Sequence, residues 1–294
     1  MAYGSPASLA EVESYYTHIR GGRPPSAELL TELVDRYRAI GGRSPLLEIT
    51  RRQAAALAAA LAARGCAVDV RVGMRHAPPF IGDAVREMAA TGIRRAVGVA
   101  LAPHYSRLSV GAYVEAAEEA RPPELTLTYI TSWGDHPGFL AAVAARLRAA
   151  ASRFAATPYV LFTAHSLPER IRTWDDPYPD EVSRSAAGAA RLASLSRWAV
   201  AYQSAGRTPE PWLGPDLPST LERLQAEGER EVLVCPIGFV ADHLEVLYDI
   251  DIEAQGIATR LGLRLERTAM LNDSPDFIAA LADLVAPHLG VRVP

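Results

Sequence analysis

The apolar positions of this chain follow two rhythms that alternate from about residue 50 onward. Residues 50–64, 80–90, 109–120, 138–154, 180–195, 217–227 and 274–289 carry them at helical spacing. Between these lie short runs rich in Val, Ile, Leu and aromatics, which predict strands over 66–74 (CAVDVRVGM), 96–102, 125–131, 159–164 (YVLFTA), 198–203, 232–237 and 263–270. Strands alternating with helices predict an α/β architecture of parallel sheets covered on both faces. Two such rounds meet near residue 150, so residues 1–150 and 151–273 are expected to form two similar halves, followed by a C-terminal helix in 274–294.

The front end departs from this pattern. A helix is predicted over 27–40, but the opening MAYGSP reads like the turn that follows a strand, with no apolar strand before it. In a parallel α/β half the first strand is usually central. Either the chain begins inside that strand, or this half closes its sheet differently.

Composition narrows the function classes. Of 294 residues 49% are hydrophobic and 22% charged, ample for a core, and a net charge of -4 gives no general attraction to nucleic acid or anionic membrane. Arg, Asp or Glu interrupts every apolar stretch before membrane-spanning length, so no membrane span is expected. The first residues lack the basic and apolar regions of a signal peptide. Cys66 and Cys235 lie far apart in apolar runs, as reduced core residues of a cytoplasmic protein would. No GxGxxG follows a strand, and no GxxxxGK[ST] occurs.

In open α/β sheets ligands bind beyond the carboxyl ends of strands. The candidates there include Tyr3, Arg75, His76, His104, Trp133, His165, Ser166, Gln203 and Ser204. His165 can serve as proton acceptor or metal ligand, its unperturbed pKa being ~6.5. Taken alone, a hydrogen-bonded structural histidine is the commoner explanation. Ser166 beside it lacks a G-x-S-x-G setting, so a hydrolase gains little support. After 232–237 a helix is predicted from about Asp242, with Glu245, Asp249 and Glu253 every four residues on one face. Aligned carboxylates repel one another, yet they could lead a divalent cation toward a strand end. On spacing alone a solvated acidic face is slightly the better account.

Longer motifs add to this reading. FTAHSLPERI (162–171), YQSAGRTPEPWLGPD (202–216) and FVADHLEVLYDID (239–251) closely resemble ferrochelatases. YYTHIRGGRPP (15–25), RYRAIGGRSPL (36–46) and APHYSRLSVGAY (102–113) are similar to the monomeric, coproporphyrin-using type of Gram-positive and actinobacterial lineages. The resemblance implies the chelatase fold, two Rossmann-like halves with a porphyrin cleft between them and a C-terminal helix packed back on the first half. It implies a cytoplasmic, monomeric lyase of haem biosynthesis that inserts Fe2+ into coproporphyrin III and needs no organic cofactor.

Carried over by position, the resemblance makes His165 and Glu245 the catalytic, iron-facing pair. Asp249 and Glu253 become a secondary metal route or site. Tyr3 becomes the axial ligand of product iron. Arg20, Arg36, Tyr37, Ser44 and Tyr113 become substrate contacts, and His76 a supporting cleft residue. Some relatives hold an iron–sulfur cluster on four cysteines. Two cysteines in different halves cannot do so, and none is expected. In the family a first strand precedes the position of Met1, so the chain reads as one begun at an internal methionine. Two alternatives stand beside this reading: a cobalt or iron chelatase acting on another tetrapyrrole, and a non-catalytic porphyrin or coprohaem carrier.

Overall fold

The computed structural model describes residues 1–290, so the last four residues of the expected 274–294 segment lie outside it. The first half contains α1 (Val12–Ile19), α2 (Ala27–Ala39), α3 (Leu46–Ala63), α4 (Ile81–Ala90), β1 (Arg95–Val99), α5 (Ala112–Ala120), β2 (Thr126–Ile130) and α6 (Pro137–Ala151). The second contains β3 (Tyr159–His165), α7 (Tyr178–Leu192), β4 (Trp198–Gln203), α8 (Leu217–Ala226), β5 (Glu231–Cys235), α9 (Leu244–Leu247), α10 (Gln255–Leu261), β6 (Arg264–Arg267) and α11 (Pro275–Val285). Helix starts carry the expected chemistry. The Ser26 hydroxyl accepts the Leu29 N–H ahead of α2, and the Asp216 carboxylate accepts the Ser219 N–H at 2.7 Å ahead of α8.

The second-half sheet is parallel, in the order β4-β3-β5-β6. β3 is paired on both edges, and its side chains alternate between two cores. Val160, Phe162 and Ala164 join the layer that includes Phe139, Val182 and Phe277, from α6, α7 and α11. Leu161 points the other way, into the layer of Leu221, Val246 and Ala258, from α8, α9 and α10. Burial on both faces explains why 159–164 is apolar at every position but Thr163. Each fully buried Leu or Phe contributes roughly 2–3 kcal/mol. Against this frame α11 packs on α3 and α6.

Two sequence expectations need correction. Residues 66–74 form no strand: Met74 makes isolated bridges to Ala2 and Phe80, and the first-half sheet is β1 paired with β2 alone. The alternation V-D-V-R-V suits a strand, but a ladder needs a neighbour's backbone along its edge. The acidic helix is not one straight helix from Asp242. His243 is extended (φ −160°) and α9 begins after it. A wide turn then spans Asp249–Ala254, in which the Tyr248 carbonyl accepts the N–H groups of both Ile252 and Glu253. Asp249 and Ile250 are consequently buried side by side, and the three acids do not share an exposed face.

Candidate active site

His165 ends the central strand β3, so a rigid sheet fixes its side chain at the strand's carboxyl end. Its Nδ1 lies against the Ser166 carbonyl, which can only accept, so that nitrogen carries the proton and Nε2 is left facing outward. The Tyr178 hydroxyl donates to the His165 carbonyl at 2.9 Å and pins the strand end. Gly238, after β5, presses on the same place: a Cβ there would stand 2.7 Å from the Cβ of Ala164. Only glycine admits that approach. Ser166 is buried, and its hydroxyl donates to the Leu213 carbonyl at 2.8 Å, so it is a structural hydroxyl and not a nucleophile.

Glu245 lies between two imidazoles. Its Oε1 is 3.7 Å from Nε2 of His165, and its Oε2 is 3.5 Å from Nε2 of His243. Burial alone would raise its pKa, but His165 and the hydrogen-bonded His243 outweigh that and hold the carboxyl at about 2. Nδ1 of His243 faces the Ala241 carbonyl at 2.9 Å. Burial lowers the pKa of that ring, but acceptors at both nitrogens, Glu245 first, outweigh this and raise it. Gln203, at the end of β4, donates from Nε2 to the Glu245 carbonyl at 2.6 Å and ties the start of α9 to the sheet.

Tyr3 and its neighbours belong to the first half. The Tyr3 ring is 38% exposed and lies 4.6 Å from the ring of His76. Although the residue is exposed overall, the protein packed around its hydroxyl pushes the phenol pKa up first, and the negative charge of Glu245 adds to this, with Arg75 opposing. Tyr113, buried in α5, is raised in the same way by burial, Tyr3 and Glu245. His76 is driven down to about 4 by burial, then by the positive charge of Arg75 and the neighbouring His18 ring. Its Nδ1 meets Nδ1 of His18 at 3.0 Å. Arg20 and Arg75 each carry a buried Nε with no partner among the described residues, an arrangement that suits an incoming anion.

Other predicted residues are engaged locally. Tyr37 is buried. The Ser44 hydroxyl accepts the Leu46 N–H at 3.3 Å ahead of α3. Arg36 stacks 5.0 Å over the Tyr248 ring and reaches Glu32 at 3.3 Å and Asp249 at 3.5 Å. Asp249 is 5% exposed and also accepts from the Ser204 hydroxyl. Burial raises its pKa to about 6, with Ser204 opposing and Glu245 adding. Glu253 is exposed.

His243, Gln203 and Arg75 join the site without having been assigned a role in it from the sequence. Gln203 did carry the signal of standing at a strand end, and Arg75 that of following an expected strand, 66–74, which the structure does not form. His243 carried none, because residues two apart do not share a helix face. Among the described residues no group of three or more His, Cys, Asp or Glu side chains is set to hold a metal ion.

Solved structures locate this architecture among known folds. The chain is similar to CbiX, the terminal enzyme of siroheme biosynthesis in denitrifying bacteria (TM-score 0.55, 15% identity, covering 97% of this chain and 95% of that one). It is also similar to SirB from Bacillus subtilis with Fe3+ (TM-score 0.52, 15% identity, 80% and 88% covered). Likeness at that identity shows the fold, which is the chelatase fold. The ferrochelatase family model matches residues 1–289. A ferrochelatase of Herpetosiphon aurantiacus is 47% identical, with 97% of this chain and 96% of the relative covered. The coproporphyrin III ferrochelatase of Bacillus subtilis is 43% identical, with 99% and 96% covered. The chain belongs to the ferrochelatase family.

Proposed function

We propose that the protein inserts Fe2+ into coproporphyrin III, releasing two protons and giving Fe-coproporphyrin III. The observation that carries this reading is the row His165–Glu245–His243, which lies within electrostatic reach of Tyr3 on the other half. A free-base porphyrin must lose two pyrrole protons as it gains a dication, so the site needs a base and oxygen or nitrogen donors together. Nε2 of His165, when neutral, accepts a pyrrole proton. The Glu245 carboxylate then stabilises the imidazolium, by about 4 kcal/mol for opposite charges ~4 Å apart at an effective dielectric of ~20. His243 keeps Glu245 ionised, so the carboxylate stays a metal donor and does not become a competing acid.

Tyr3 is suited to meet the opposite face of the macrocycle and to ligate product iron through its phenolate. Tyr113 and His76 support it, and Arg20 and Arg75 pair with propionates through their unpartnered Nε groups. Asp249 and Glu253 form a subsidiary metal route, with Arg36 as the resident counter-charge of Asp249. Coproporphyrin III carries four propionates, two of which can pair with the two waiting guanidinium groups. It is also the substrate named for the Bacillus subtilis relative. The test is anaerobic metallation with coproporphyrin III and with protoporphyrin IX in excess over enzyme. Repeated turnover that favours coproporphyrin III supports the proposal. Tight porphyrin binding without turnover would make the protein a carrier.

A further inference from the structure

The turn that carries Tyr3 is held from two sides. The Arg75 N–H donates to the Ala2 carbonyl and the His76 N–H to the Tyr3 carbonyl, both at 2.9 Å. From α1 the Tyr15 hydroxyl donates to the Gly4 carbonyl at 3.1 Å. Gly4 has φ +99°, and a Cβ on it would stand 3.0 Å from the Ala77 nitrogen, so turn and neighbour are in close contact. The Tyr3 backbone is thereby fixed. Its ring rests on the His76 ring, with centroids 4.6 Å apart and planes inclined by 55°.

What orients the half-buried His76 ring is His18, in the last turn of α1. The two rings meet edge to face at 5.2 Å and 77°, with their Nδ1 atoms 3.0 Å apart. Ring nitrogens at that distance hold one proton between them, one donating and the other accepting. The bond satisfies both atoms and fixes the rotation of the His76 ring. His18 is itself stacked on Phe80 at 5.4 Å and 24°, just ahead of α4. A row Phe80–His18–His76–Tyr3 therefore leads from the surface to the site. His18 is exposed, and packing there asks only for a ring, so its nitrogen is what the row uses.

We infer that His18 is a positioning residue for Tyr3: its Nδ1 bond holds the His76 ring as the platform that aims the Tyr3 phenol at product iron. The inference rests on the reading of Tyr3 as the axial ligand. His18 acts through His76 and not on the porphyrin. Loss of such a supporting partner typically weakens metal ligation by about 10–100-fold.

The test titrates the parent, His18→Phe, His18→Asn and Tyr3→Phe with Fe(III)-coproporphyrin III and reads the phenolate-to-iron charge-transfer band. His18→Phe keeps a ring on Phe80 but lacks Nδ1, whereas His18→Asn keeps a polar atom near the Nδ1 position. The band is expected to disappear in Tyr3→Phe. In His18→Phe it should weaken, with Kd raised about tenfold or more, and in His18→Asn it should recover. Without porphyrin, 15N spectra of the histidine rings should show one Nδ1 of the pair protonated and the other bare in the parent. In His18→Phe the two tautomers of His76 should average. A band abolished by Tyr3→Phe but kept at parent strength in His18→Phe would overturn the inference and leave the reading of Tyr3 standing. So would His76 nitrogen shifts that His18→Phe leaves unchanged, or an equal loss in His18→Phe and His18→Asn. A band untouched by Tyr3→Phe would remove the reading of Tyr3, and the inference with it. If His18→Phe does not fold, His18→Gln, whose polar end reaches past the Nδ1 position, takes its place with the same expected loss.

Discussion

Nε2 of His165 stands 3.7 Å from Oε1 of Glu245, and the two residues reach that position from separate elements. His165 is carried by the central strand, with Gly238 pressed against the residue before it. Glu245 is carried by a four-residue helix tied to the sheet by Gln203. The pair is therefore only as precise as these supports.

Gly238→Ala tests the packing beneath His165. The added methyl meets the Ala164 backbone at 2.8 Å, so the end of β3 must shift. Overpacking of this kind costs about 1–3 kcal/mol. Thermal unfolding should show that loss, and the metallation rate at saturating substrate should fall with it.

His243→Ala tests what holds Glu245 ionised. The Glu245 pKa is depressed in the folded state, so its contribution to stability is present above pH 4.5 and is lost as pH falls toward 2. The variant should be less stable than the parent at neutral pH by about 1–2 kcal/mol, with the gap narrowing over that acid window. Urea unfolding at several pH values measures it.

The difference between Glu245 and Asp249 shows how far the sequence could be read. The four-residue spacing singled out both acids, but it assumed a straight helix, and no Gly or Pro marks the wide turn that carries Asp249 inward. His243 stayed hidden for the same reason, since its extended backbone lets it reach a residue that helical spacing would keep away. The 198–203 run became β4 with the expected bounds, and His165 stood at its strand end, because a strand buried on both faces declares itself in apolar residues. Residues 66–74 misled for the opposite reason: their alternation is strand-like, but pairing depends on a neighbour that no local pattern reports.

Asp249→Asn follows from that inward position. The pKa of Asp249 is raised to about 6 from 3.8, so its ionisation penalises the folded state fully above pH 6 and not at all well below 3.8. The variant should be more stable than the parent by about 1–3 kcal/mol at pH 7.5, with the gain vanishing below pH ~4. Chemical unfolding at the two pH values checks the sign.

Arg75→Gln removes a guanidinium whose Nε is buried without a partner. One charge-assisted bond to a propionate should disappear, raising KM for coproporphyrin III about tenfold with a smaller change in kcat. Steady-state kinetics across coproporphyrin III concentrations separates the two.

The most direct test of the account is anaerobic Fe2+ insertion into coproporphyrin III by His165→Ala, with porphyrin binding followed in the same samples by fluorescence quenching. Loss of the base facing Glu245 should slow insertion at least about 100-fold while leaving porphyrin binding intact. Insertion at the parent rate would contradict the assignment of His165 as the residue that accepts the pyrrole proton.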